Sequence, residues 1–255
     1  MKIAFCTNVW PLEEIPQACS KLKELGYDGV ELWHQYIVSR SLEQIRHEVL
    51  DLGLEVAQIC PYFNVTGSRE ELEGSFKLAE QYVRIARELG CKRIRVFTGN
   101  VGATEATEEQ YEQGVEGLRK ICRMAPDLMF ILETHRGSLM ESTASTLRLI
   151  RDVGENNLRV NLQVPMEVSG EQPYECARRI GNYVAHLHAH NWQGDINNLT
   201  CLSEGDYDFG AFLSILVEKG FDGYISIEHG DHYGKDDPFE VAAREASYLK
   251  TLIGG

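Results

Sequence analysis

Leu-Gly-Tyr-Asp-Gly-Val-Glu at positions 25–31 and Lys-Gly-Phe-Asp-Gly-Tyr-Ile at 219–225 read as two copies of one connector. In each, a glycine stands where an amphipathic helical pattern stops and a left-handed residue is favoured. An apolar run suited to a strand begins within a few residues. Gly53, Gly90 and Gly154 mark the same change of pattern elsewhere. Working outward, strand patterns fall at 2–7, 29–33, 55–60, 93–97, 129–133, 159–163, 184–190 and 224–228. Helical patterns fall at about 13–25, 42–52, 69–89, 108–124, 143–153, 172–180, 208–219 and 239–253. Eight of each in 255 residues gives about 32 residues per unit, the size of a βαβ element. Ser41-x-x-Gln44, Ser68-x-x-Glu71 and Thr107-x-x-Gln110 have the form of capping boxes at helix starts. This alternation predicts an α/β fold, a single-domain (β/α)8 TIM barrel over residues 1–255. An open doubly wound sheet is the rival. Its phosphate fingerprint after the first strand is replaced here by Thr7-Asn8-Val9-Trp10.

Composition narrows the class of function. Hydrophobic residues make up 43% and charged residues 25%, within the globular range. No apolar run reaches the roughly 20 residues of a membrane span, and the first ten residues do not have the form of a signal peptide. A cytoplasmic protein without membrane partners is expected. Asp and Glu outnumber Lys and Arg by 39 to 25, a net charge of −14, which argues against nucleic acid, whose binders need a basic footprint. Acidic stretches such as 105–116 read as solvated helix faces. The seven cysteines contain no C-x-x-C pair, so reduced, buried thiols are expected. Nothing in the pattern fixes the oligomeric state, and it leaves room for a homo-oligomer.

The ends of the strands carry the chemistry. A barrel builds its active site at the C-terminal ends of its strands, and the last inward positions there are Glu31, Gln58, Arg95, Glu133, Gln163, His188 and Glu228. Carboxylates that end apolar runs, as Glu133 and Glu228 do, are unfavourable without a partner. Along 184–190, period two puts His186, His188 and His190 on one face. Three histidines beside two carboxylates look like one metal ligand with flanking groups that orient it or the substrate. An imidazole, two carboxylates and one oxygen donor suit Mn²⁺, Mg²⁺, Co²⁺ or Zn²⁺.

With these residues in view, the chain resembles the xylose isomerase-like TIM-barrel superfamily. This is the sugar phosphate isomerase/epimerase group that also holds endonuclease-IV-like proteins. Gly-Tyr-Asp-Gly-Val-Glu-Leu at 26–32 resembles its second-strand motif, and Leu-Glu-Thr-His-Arg-Gly at 132–137 its fifth-strand E-x-H-x-G element. His-Leu-His-Ala-His-Asn at 186–191 is similar to its seventh-strand segment, and Ile-Ser-Ile-Glu-His at 225–229 to the segment of its eighth-strand metal glutamate. The resemblance makes Glu133, His188 and Glu228 ligands of one divalent ion. Where the family has an aspartate at the end of strand six and a histidine three residues later, this chain has Gln163 and Met166. An amide carbonyl still coordinates a hard cation, so Gln163 stands as a weaker fourth ligand.

What the resemblance implies is a metal-dependent isomerase or epimerase of a small carbohydrate, acting through an enediolate. Glu133 and Glu228 would form the base and acid pair. Glu31, His135, Arg136 and His190 would orient hydroxyl groups, with Trp10, Trp33 and Tyr62 as walls. The second reading is a dehydratase of an inosose- or dehydroshikimate-like compound, by the same chemistry with loss of water. A third is a barrel that binds sugar without turning it over. The nuclease reading fares worst, because this chain has eight histidines in all and a strong negative charge.

Overall fold

Eight parallel strands close into a barrel in the computed structural model, which describes residues 1–164, 170–228 and 236–254. They are β1 (Lys2–Cys6), β2 (Gly29–Trp33), β3 (Glu55–Cys60), β4 (Arg93–Val96), β5 (Met129–Glu133), β6 (Leu158–Gln163), β7 (Val184–Ala189) and β10 (Tyr224–Ile227). Strand β10 pairs with both β1 and β7 and so completes the ring. Outside lie α1 (Ile15–Glu24), α4 (Arg69–Glu88), α5 (Glu108–Met124), α6 (Thr143–Val153), α7 (Pro173–Ile180), α8 (Phe209–Glu218) and α9 (Pro238–Ile253). The helix expected over 42–52 is α3 (Leu42–Ile45) running into a π-helical turn, Arg46–Leu50.

The two matching connectors fold alike. Gly26 and Gly220 have φ of +83° and +90°. The following amides, of Tyr27 and Phe221, donate back to Leu22 and Leu216, and the glycine amides donate to Lys23 and Val217. Both ends are Schellman motifs, which satisfy the last carbonyls of a helix. The second glycines, Gly29 and Gly223, lie against the carbonyl oxygens of Glu55 and Ala185, where a Cβ has no room. All three expected capping boxes are formed, and a fourth joins Ser142 to Ser145. Glu105, Glu108, Glu109, Glu112 and Glu116 are exposed, the solvated face expected of that stretch.

The apolar core lies between the barrel and its helices, while the barrel interior is polar. Glu31, Gln58, Arg95, Asn161, His186, His188 and Ser226 are all buried inside it. Two bulges set this arrangement. Along β2 and β3, Val30 faces Val56 but Glu31 faces Gln58, so Ala57 is an extra residue. Along β6 and β7, Val160 faces Val184 but Asn161 faces His186, so Ala185 is extra. The Ala185 carbonyl, at that irregularity, accepts from Arg93 Nε at 3.2 Å. All seven cysteines are free and buried, and no described helix is long and apolar enough to cross a membrane.

Two features go beyond the expected elements. A short helix, α2 (His34–Ser39), follows β2 directly, and an antiparallel hairpin, β8 (Asn191–Gln193) with β9 (Asp195–Thr200), follows β7.

Candidate metal centre and active site

The upper ends of β5, β6, β7 and β10 bring four donors together. His188 Nδ1 stands 3.4 Å from Glu133 Oε1, 3.4 Å from Gln163 Oε1 and 3.3 Å from Glu228 Oε2. Ligand atoms held at about 2.1 Å by one ion stand roughly 3.0–3.4 Å apart, so the spacing suits a divalent cation. The chemistry of the donors suits it too, with one imidazole nitrogen, two carboxylates and an amide carbonyl. Gln163 is held in place through its backbone. Its amide donates to Thr134 Oγ1 at 2.8 Å, and that hydroxyl lies 3.0 Å from the Gln163 carbonyl.

Beneath this cluster Glu31 holds the far side of the same imidazole. Both of its oxygens lie 3.1 Å from His188 Nε2, and Oε1 also lies 2.7 Å from His186 Nε2. Gln58 Nε2 donates to Oε2 at 3.0 Å. Cys6, Glu31 and His188 also converge, but burial first, and then Glu31, push the Cys6 thiol well above its ordinary pKa and keep it neutral.

A cavity of about 440 Å³ opens above the four donors. Glu133, Gln163 and Glu228 form part of its lining, with His135, Arg136, Trp33 and Tyr62 among the other lining residues. His135 Nδ1 donates to the Arg136 carbonyl at 2.7 Å, which leaves Nε2 as the ring's other polar atom. Arg95 is fully buried against this cavity, its guanidinium 4.3 Å from the Trp33 ring centre and 4.8 Å from those of Tyr62 and Phe97. Its Nη1 donates to Glu133 Oε2 at 2.9 Å, while Nε and Nη2 have no partner among the described residues.

Partners override burial at the carboxylates of the site and at His188. Burial disfavours the Glu133 carboxylate, yet Arg95 and then His188 hold its pKa below the ordinary range. Glu228 is lowered against burial by His188 and His190, and Glu31 by His188 and His186. Burial opposes a charged His188, but Glu31 and Glu228 raise its pKa well above the usual value. His186 goes the other way, lowered by burial in spite of Glu31.

Not every residue named from the sequence lies where it was expected. Glu31, expected to orient substrate hydroxyls, is fully buried below His188 and does not line the cavity. Trp33, two positions further along the same strand, is the residue at cavity level. Trp10, expected as a wall, is buried between Phe5 and Phe239, with ring centres 5.1 and 5.2 Å away, and is also absent from the lining. His190 sits behind Glu228, its Nε2 3.4 Å from Oε2. Met166 and His229 lie outside the described residues. The pairing of Arg95 with Glu133 was not anticipated, although opposite charges at the inward ends of two neighbouring strands were a signal for it.

Known proteins resemble this chain in sequence and in fold. The family described as xylose isomerase-like TIM barrel matches residues 19–252. A 3-dehydroshikimate dehydratase of Bacillus anthracis is 27% identical over 177 residues, covering 66% of this chain and 63% of that protein. An inosose dehydratase of Clostridium beijerinckii is 23% identical over 297 residues, covering 100% of this chain and 98% of that one. Among solved structures, D-psicose 3-epimerase in the presence of D-fructose superposes with a TM-score of 0.83 at 18% identity, covering 100% of both chains. A likeness at that identity speaks for the fold.

Proposed function

Because this chain belongs to the xylose isomerase-like TIM barrel family, we propose that it is a divalent-metal-dependent enzyme that enolises a small polyhydroxy carbonyl compound and then eliminates water. The observation that carries the reading is the convergence of Glu133, Gln163 and Glu228 oxygens on His188 Nδ1 at the floor of the cavity. These four residues would hold the ion. When bound, a dication supplies positive charge that stabilises the negative charge developing on a carbonyl oxygen as the neighbouring carbon loses a proton.

The chain's own residues do the rest. Glu228 takes the proton from the carbon beside the carbonyl, and that C–H electron pair becomes the enol double bond. A hydroxyl on the next carbon then leaves with the C–O bonding pair as Glu228 returns the proton to it; the enolate oxygen re-forms the carbonyl, the enol pair becomes the new double bond between the two carbons, and water is the second product. Arg95 keeps Glu133 ionised at 2.9 Å, which holds it as a ligand. The unpartnered Arg95 nitrogens and His135 orient substrate oxygens, with Trp33 and Tyr62 as walls. That the curated relatives reported above are dehydratases supports this outcome.

Epimerisation is the second reading, because Glu133 and Glu228 both face the cavity. In that case Glu133 delivers a proton to the opposite face of the same carbon. The test is metal analysis of the purified protein, followed by incubation in D₂O with ketoses, inososes and dehydroshikimate. Dehydration gives a product with new ultraviolet absorbance. Epimerisation gives an isomer carrying deuterium beside the carbonyl. A protein that binds no divalent ion overturns both and favours sugar binding without turnover.

A further inference from the structure

Glu31 is fully buried, one layer below the four donors, and its carboxylate touches both His188 and His186. We propose that Glu31 is a positioning residue that selects which nitrogen of His188 the metal receives, with His186 as the lock that keeps Glu31 in place. The inference deepens the functional reading above and rests on His188 being a ligand.

The two nitrogens of an imidazole lie on different edges of the ring, and the hydrogen bond made by one decides what the other can do. His188 Nε2 faces both Glu31 oxygens at 3.1 Å, and only a donor satisfies that position. Nε2 therefore carries the proton. Nδ1 is the atom that remains for a cation, and it points at Glu133, Gln163 and Glu228.

A carboxylate this close to a dication site could also swing up and become a ligand. Three contacts hold it down. His186 Nε2 is 2.7 Å from Oε1, Gln58 Nε2 is 3.0 Å from Oε2, and the Cys60 thiol is 3.5 Å from Oε2. Glu31 also sits in the ladder between Cys6 and Gln58, while His188 is flanked by Gln163 and Ser226. The strands thus fix both ends of the contact. Replacing Glu31 by glutamine keeps the shape but offers Nε2–H groups of its own, so one of the two histidines must present a bare nitrogen in return. His188, whose Nε2 faces both oxygen positions, is the one that does so: its proton moves to Nδ1 and blocks the metal.

The probe is Zn²⁺ alone, titrated into the stripped full-length protein, wild type and Glu31→Gln. Imidazole nitrogens of the loaded wild type are observed by ¹H–¹⁵N correlation. The expected result is zinc on His188 Nδ1, a slowly exchanging proton on Nε2, and zinc affinity lower by about 10–100-fold in Glu31→Gln. His186→Gln keeps a donor on Glu31 and is expected to hold affinity within a few-fold of wild type. A folded Glu31→Gln protein with wild-type affinity overturns this inference alone. So does zinc on Nε2 in the wild type, a result that stands even where Glu31→Gln does not fold. A wild type that binds no zinc and no Mn²⁺ overturns the metal reading, and this inference with it.

Discussion

Two places where this protein buries carboxylates treat them in opposite ways. At the candidate metal centre Glu31, Glu133 and Glu228 each meet a histidine or an arginine, and each is held below its ordinary pKa although burial pushes the other way. On α9, Glu245 is fully buried with one backbone partner, the Leu202 amide at 2.9 Å, and its second oxygen has no partner among the described residues. There burial prevails and lifts the pKa to about 7. Burial is common to both places. What differs is the company, and company decides whether a buried acid is a charge or a neutral donor.

Glu228→Gln removes the proposed ligand and the proposed base together, and turnover is expected to fall by at least 10²-fold, since general base action alone contributes about 10²–10⁴. Activity above a tenth of wild type, read as product absorbance, breaks the role assigned to that carboxylate. Arg95→Leu tests the company directly. It leaves Glu133 buried with only His188 beside it, and removing one partner of a buried pair costs about 3–5 kcal/mol of stability. Urea unfolding should show that loss, with part of it recovered in the Arg95→Leu, Glu133→Gln double variant. No loss would mean that His188 alone suffices for Glu133.

Glu245 gives the opposite sign. Its raised pKa means that the folded state holds the proton more tightly, so this contribution to stability is full below about pH 4.5. It fades as pH rises through about 7, by about 3 kcal/mol in all. Glu245→Gln should therefore remove that fall. The difference between wild type and variant, followed by urea unfolding at pH 5 and pH 8, should grow in the variant's favour at the higher pH. A constant difference would put Glu245 among the paired acids. The smallest effect concerns Gln163→Asp, expected to raise Mn²⁺ affinity about tenfold, since a carboxylate attracts a dication more than an amide does. Equal affinities in a calorimetric titration would take Gln163 off the metal.

Much of the fold was legible because it is written in local chemistry. Gly26 and Gly220 end helices by the same hydrogen bonds, and Ser41, Ser68 and Thr107 cap helices as their spacing predicts. The hairpin 191–200 does not show as strands in the sequence, because Asp195, Asn197 and Asn198 leave no apolar alternation, and its residues lie largely exposed. At the site, inward position could be read from strand periodicity, but depth could not. Glu31 and Trp33 share a face in the sequence, and only the barrel's layering separates the residue beneath the four donors from the one at the cavity. Arg95 was placed inward, yet its bond to Glu133 depends on the stagger of neighbouring strands, which no single strand reveals.

The extra alanines of β3 and β7 have a consequence for how such a barrel changes over time. Each strand carries two messages, one for the helices outside and one for the chamber inside, and Ala57 and Ala185 shift the phase between them. Below the alanine, Val56 and Val184 belong to the outer packing; above it, Gln58, His186 and His188 face inward. A regular strand would carry the lower phase upward and turn those polar side chains toward the helices. The two halves of the strand can therefore drift separately, the lower under selection for packing and the upper for chemistry, provided the single inserted residue stays between them.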